Sequence, residues 1–230
     1  MKITVIYDTN NKSIVYKSVQ YIIKTIQRNH FTIYIDELFI HDDFKILNSP
    51  LYSSKSSFYH NSFKITYPSN SHEAMINKIS SILNKSDFII LASSNLNSSS
   101  HMYNLLERLS YQWLPHKLNS LMTNKIALAI SDTSSLSFFS YANMFLSRNL
   151  RFWGINKRSI FSKSLSKYNS KNLSKQKQRQ LYSELNKLSL KIINRYKLTS
   201  NIIVPNFKNK NYTNADSTYN TTILNFPCKQ

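Results

Sequence analysis

Five times along this chain a short β-branched or aliphatic run gives way to apolar positions at helical spacing, and that alternation constrains the fold more than any other feature. The central unit is KSDFIILASSNLNSSSHMYNLLERLSYQW, Lys85 to Trp113. Phe88 to Ala92 is a continuous apolar run of strand length, which suits a strand buried on both faces of a parallel sheet. A polar loop, Ser93 to Ser99, follows it. Met102, Leu105, Leu106 and Leu109 then recur at the spacing of one helix face. Small hydroxyl and amide residues therefore sit where the strand delivers its C-terminal end, the edge at which open α/β sheets bind ligands.

The other units repeat this order. Ile3 to Tyr7 predicts a first strand and Asp8 to Ser13 a turn. Val15, Val19, Ile22, Ile23 and Ile26 predict a helix with Ser13 as its N-cap. Phe31 to Ile35 predicts a second strand ending at Asp36–Glu37. Asn48 to Asn70 is Ser- and aromatic-rich and too long for an ordinary connection, so it reads as a functional loop or an insertion. Met75, Ile76, Ile79, Ile82 and Leu83 stripe a second helix over Ser71 to Leu83. Lys125 to Ile130 predicts a fourth strand, Ser131 to Ser135 its exit loop, and Phe138 to Leu150 a helix with Met144 and Phe145 inward. Gly154, the only glycine, stands where a left-handed helix terminus is needed. Arg158 to Phe161 predicts a fifth strand and Leu173 to Leu198 a long basic helix.

Right-handed crossovers then build a five-stranded parallel sheet, order 2-1-3-4-5, with helices on both faces. This is an α/β, flavodoxin-like three-layer sandwich. It is expected over residues 1–198, with an irregular tail over 199–230.

Composition narrows the function classes. One cysteine, Cys228, excludes a disulfide framework and cysteine-ligated metal, and His60, His72 and Glu73 lack metal-ligand spacing. No apolar run reaches membrane-span length and MKITVIYD enters a strand at once, so a cytoplasmic protein without a membrane partner is expected. The net charge of +19 raises nucleic acid as a partner. Its excess lies between Arg148 and Lys210, with sixteen Lys or Arg against Glu184 alone, and a solvated basic helix is the preferred account of it.

Four stretches in order, MKITVIY, LLERLSYQWLPHK (Leu105 to Lys117), NKIALAIS (Asn124 to Ser131) and LRFWGINKRSIF (Leu150 to Phe161), resemble the flavodoxin-like NAD(P)H-dependent FMN reductases and oxidoreductases, including their clostridial-type branch. The resemblance spans about Met1 to Asn194. It implies three FMN-holding loops: Thr9, Asn10, Asn11, Lys12 and Ser13 around the phosphate; Ser93, Ser94, Asn95, Leu96 and Asn97 along the isoalloxazine; Ser131, Asp132 and Thr133 over the ring. It implies NAD(P)H as co-substrate, a flavin or quinone-like acceptor, and a homodimer with the site near its interface. It also puts His116 near the flavin or its dimer-mate.

The sequence departs from the family at these loops. None holds a glycine, which would let backbone N–H groups converge on an anion. Asp8 brings a carboxylate to the phosphate loop. The clostridial Cys-x-x-Cys-x-x-Cys stretch is Leu51 to Ser57 here, without sulfur, so an iron–sulfur cluster is excluded. Tyr52, Phe58, Tyr59 and Tyr67 fit either a wall over a flat ligand or a dimer contact. Three functions stand as expectations: an FMN-dependent reductase, a non-catalytic relative acting as an interaction or regulatory protein, and a binder of nucleic acid or an acidic partner.

Overall fold

The apolar runs align as parallel strands and the striped segments cover them. The structure is a computed structural model and describes residues 1–29, 32–40, 58–64, 72–94, 101–113, 120–132, 139–168 and 173–203. The strands are β1 (Lys2–Asp8), β2 (Ile33–Phe39), β3 (Phe58–Lys64), β4 (Phe88–Ser93), β5 (Ile126–Ser131) and β6 (Ile160–Ser164). The helices are α1 (Ile14–Arg28), α2 (His72–Asn84), α3 (His101–Gln112), α4 (Ser120–Thr123), α5 (Phe139–Phe152) and α6 (Lys175–Ile203). The sheet order is β3-β2-β1-β4-β5-β6 and every pairing is parallel.

Within it β2-β1-β4-β5-β6 is the 2-1-3-4-5 arrangement of a flavodoxin-like fold. A sixth strand, β3, adds to the β2 edge from inside the stretch expected to be a loop or insertion. Its polar sequence, FYHNSFK, carries no apolar run to announce it.

Alternation along each strand sorts the core into two layers. Ile3, Val5, Tyr7, Phe88, Ile90, Ala92, Ile126, Leu128 and Ile130 pack with α1 and α6. Ile6, Ile89, Leu91, Ala127 and Ala129 pack with α2, α3 and α5. The expected stripes of α1 and α3 are buried in full. On α5 the inward face is Ala142, Leu146 and Leu150, whereas Met144, expected inside, is 53% exposed. Three residues at i, i+4 and i+8 form the buried stripe, and Met144 lies two positions off it.

Gly154 ends α5 at φ +98°. Gly154 N–H donates to Arg151 O at 2.9 Å and Ile155 N–H to Leu150 O at 3.2 Å, which closes the helix as a Schellman motif. The strand β2 runs through Asp36 and Glu37 instead of stopping before them, because both carboxylates find partners. Asp36 pairs with Lys2 at 3.1 Å, and Glu37 Oε1 accepts from Gln20 Nε2 at 2.6 Å and Tyr7 Oη at 3.2 Å. Helix α6 continues past Leu198 to Ile203, where the Thr199 and Ser200 hydroxyls bond to carbonyls of the preceding turn. Residues 204–230 lie outside the described part. Among the described residues no helix is long and apolar enough to cross a membrane, and no group of three His, Cys, Asp or Glu is placed to hold a metal.

Candidate functional site

Strand order reverses between β1 and β4, and the polar ends of β1, β4 and β5 meet at that switch point. Parallel register fixes which of these residues are neighbours. Asp8, Ser93, Ser131 and Ser164 stand in one row across β1, β4, β5 and β6. Alternation turns the first three toward the layer of α2, α3 and α5, as with Ile6, Leu91 and Ala129. Ser93 Oγ donates to Asp8 Oδ2 at 3.2 Å.

One residue further along each chain, a second row faces the opposite layer. Thr9, Ser94 and Asp132 form it, and it reaches the N-terminus of α1 through Ser13. Thr9 Oγ1 donates to Ser13 Oγ at 2.7 Å and shares a short hydrogen bond with Ser94 Oγ. The Ser94 hydroxyl in turn bonds to the Asp132 side chain. Ser13 caps α1 by accepting from Tyr16 N–H at 3.0 Å, as its position in the sequence predicts. The loop is tied by Ser13 N–H to Asn10 O at 3.1 Å and Lys12 N–H to Asn10 Oδ1 at 3.0 Å.

The acid that shares this row with the helix N-terminus is therefore Asp132, not Asp8. Asp132 is 5% exposed, and burial lifts its carboxyl to about 6 against the weaker opposing pull of the Ser94 and backbone hydrogen bonds. Each hydroxyl carries one hydrogen, so the direction of the row depends on that proton. With Thr9 donating to Ser13, Ser94 donates to Thr9, and the hydrogen between Ser94 and Asp132 comes from the neutral acid. Ionised Asp132 only accepts, which turns Ser94, Thr9 and Ser13 around in sequence. In the neutral arrangement the Ser13 hydrogen is available to an anion at the end of α1.

Thr9, Ser13, Ser94 and Asp132 are thus brought into one hydrogen-bonded set, with Ser93 and Ser131 on the other side of the sheet edge. Asn10, Asn11 and Lys12 are exposed on the connecting turn. Asn95, Leu96, Asn97, Thr133 and His116 lie outside the described residues, as do Tyr52 and Tyr67. Glu37, Tyr7 and Gln20 make a further buried polar cluster on the α1 side, and burial holds the Tyr7 phenol well above its usual range. Sequence reasoning did not find it; the signal available was two acids, Asp36–Glu37, continuing an apolar strand.

Comparisons with known proteins bear on this arrangement through the fold. No protein-family model matches the chain, and no curated protein matches it in sequence. Solved structures do match in three dimensions. An FMN-dependent NADH-azoreductase from Bacillus anthracis, solved in complex with FMN, aligns over 84% of this chain and 100% of its own at TM-score 0.57 and 11% identity. The Streptococcus mutans protein Smu.1420 aligns over 82% and 98% at TM-score 0.51 and 16% identity. The NAD(P)H:(acceptor) oxidoreductase flavoenzyme from Paracoccus denitrificans aligns over 86% and 98% at TM-score 0.51 and 9% identity. At these identities the likeness establishes the flavodoxin-like fold.

Proposed function

We propose that the chain is a flavodoxin-fold reductase that holds FMN at the switch point between β1 and β4 and uses NAD(P)H to reduce a quinone-, azo- or flavin-type acceptor. The observation that carries this reading is the hydrogen-bonded row from Asp132 through Ser94 and Thr9 to the capped N-terminus of α1. The residues present suit a phosphate ester. The first turn of α1 contains no acid. Its N-terminal backbone N–H groups and dipole favour an anion, and Lys12 is the cation on the turn. Asp8 engages Ser93 on the opposite side of the sheet edge. Backbone N–H convergence here rests on the Asn10 turn without glycine, so phosphate affinity below that of a glycine-lined loop follows.

Bound there, FMN would supply hydride chemistry. The chain supplies position and electrostatics: Ser13 and Lys12 hold the anion, Ser94 and Thr9 fix the two loops to each other, and Asp132 holds or releases a proton at its carboxyl. Relatives of this fold that are flavoenzymes support the cofactor assignment. The reading includes a homodimer. Tyr103 of α3 and Tyr141 of α5 each stack on Phe145, and Tyr141 and neighbouring Phe152 are exposed. They border a cavity of about 390 Å3 that also presents Glu107 and Arg148, opposite charges that a two-fold contact can pair.

The test is an absorbance spectrum of the purified chain followed by FMN titration watched through flavin fluorescence, then NADH and NADPH oxidation with a quinone acceptor. Saturable quenching in the micromolar range and acceptor-dependent oxidation are expected. A colourless protein that leaves about 100 μM FMN unquenched overturns the reading and favours the non-catalytic one.

A further inference from the structure

Where α5 meets the edge strand β6, the packing is polar on both sides. Asn143, Ser147 and Arg151 fall at i, i+4 and i+8, so they share one face of α5. Ser162 and Ser164 fall at i and i+2, so they share one face of β6. Ser166 follows at the end of that strand. A helix normally lays apolar side chains on a sheet, as α5 does one face over with Ala142, Leu146 and Leu150. Here the two polar faces border an open cleft of about 640 Å3 lined by Asn143, Met144, Ser147, Arg151, Ser162, Ser164 and Ser166.

Two polar atoms of this cleft find no partner among the described residues. Asn143 and Ser147 are each 7% exposed, yet Asn143 Oδ1 and Ser147 Oγ are buried without a hydrogen-bond partner. Ser164 and Ser166 hydroxyls lie 3.1 Å apart and each keeps further bonding capacity. Buried polar groups are ordinarily paired, and a set left open around one cavity marks either a water cluster or a ligand site. The volume lies within the range of small-molecule sites.

We propose that this cleft is a second ligand site, for a small hydroxylated oxyanion seated between Arg151 and the Asn143–Ser147 face of α5. The chemistry of the lining selects that class. No acid lines the cavity among the described residues, and Arg151 offers a planar fork for a carboxylate or phosphate. Serine hydroxyls can donate to the remaining oxyanion oxygens. Asn143 Oδ1 accepts only, so the ligand must also bring a donor, which a hydroxyl provides. Hydroxycarboxylates and polyol phosphates share this chemistry. The site does not depend on flavin binding, because its lining shares no residue with the Thr9–Ser94–Asp132 row.

Isothermal titration calorimetry of the full chain with L-malate and with glycerol 3-phosphate tests it, alongside FMN titration of every variant. At least one probe is expected to bind with a Kd of about 0.1–1 mM. Arg151→Gln is expected to weaken that binding at least about tenfold by removing a charge-assisted pair, with FMN affinity unchanged. Asn143→Leu and Ser147→Ala remove unpaired polar atoms, so both are expected to melt higher than wild type without ligand and to lose the probe-dependent rise in Tm. Malate binding alone identifies the carboxylate source and glycerol 3-phosphate alone the phosphate source. No saturable heat from either probe up to about 10 mM, or Arg151→Gln binding as wild type does, overturns the proposal and leaves a water-filled cleft.

Discussion

Asp8 and Ser93 stand opposite each other in register at the ends of two adjacent parallel strands, and Ser93 Oγ donates to Asp8 Oδ2 at 3.2 Å. The carboxylate that the sequence sets just before the Thr9–Ser13 loop is thereby engaged on the far side of the sheet from α1. The acid facing the loop is instead Asp132, the residue that follows β5.

This division of sides predicts unequal effects of two charge removals. Asp8→Asn is expected to change FMN affinity by less than about threefold, and Asp132→Asn to strengthen it at pH 8 by about tenfold, because only Asp132 is coupled through hydroxyls to the anion site. Fluorescence titration of both variants decides it. A larger gain from Asp8→Asn would place the wrong acid at the phosphate.

The same coupling predicts a pH signature. An amide at 132 donates permanently to Ser94, imitating the neutral acid. The ratio of wild-type to Asp132→Asn Kd for FMN should approach one near pH 5 and widen as pH rises through about 6, the value to which burial lifts Asp132. Taking the ratio at each pH cancels the ester's own titration. A ratio constant from pH 5 to 8 would mean that the row does not transmit the proton.

Stability should follow the same carboxyl. Its pKa is raised from 3.8 to about 6, so the folded state binds the proton more tightly than the unfolded chain does. Folding stability then falls as pH rises from about 4 through about 6, and the ionised group costs up to about 3 kcal/mol above that range. Urea unfolding should show wild type gaining on acidification from pH 7 to 5.5, while Asp132→Asn lacks that gain and is the more stable protein at pH 7.5. A wild-type profile parallel to the variant's contradicts the burial argument.

Gly154→Ala isolates a backbone cost. A Cβ added there would meet Met122 Cβ at 3.7 Å, ordinary contact, so crowding is not the obstacle. The φ of +98° is. An L-residue pays roughly 1–2 kcal/mol to hold that conformation, and thermal or urea unfolding should register a loss of that size with secondary structure retained. Neutral substitution would show that the α5 terminus does not need its left-handed residue.

Ser93→Ala removes the donor to Asp8 without adding bulk. A loss of about 1–2 kcal/mol in unfolding free energy is expected, with Asp8→Asn combined with Ser93→Ala costing less than the sum of the single changes. Strict additivity in that cycle would mean that the pair does not interact.

Much of this architecture is legible in the chain. Runs such as Phe88–Ala92 and Ile126–Ile130 are long enough and apolar enough to be strands covered on both faces, and Val15, Val19, Ile22, Ile23 and Ile26 can serve only one helix face. Five such units in order leave few topologies, and the loops at their strand ends mark the candidate ligand edge. The Ser13 cap and the Gly154 terminus were also readable, because each is a local matter of backbone sterics and one hydrogen bond.

The rest depends on register between segments far apart in sequence. Strand β3 is polar, and its place in the sheet comes from pairing with β2, not from a pattern of its own. Asp8 looked like the obstacle to an anion because it precedes the loop, and only the alternation and alignment of β1 with β4 turn it away. Nothing local distinguishes Asp132 from any loop aspartate; its burial and its link to Ser94 arise from three strand ends meeting. The Asn143–Ser147–Arg151 stripe likewise reads as an exposed helix face until β6 is laid beside it. Short-range sterics and hydrophobic period determined the elements, whereas long-range register decided which polar groups share a site, since a hydrogen bond requires two atoms within about 3 Å that the sequence alone leaves apart.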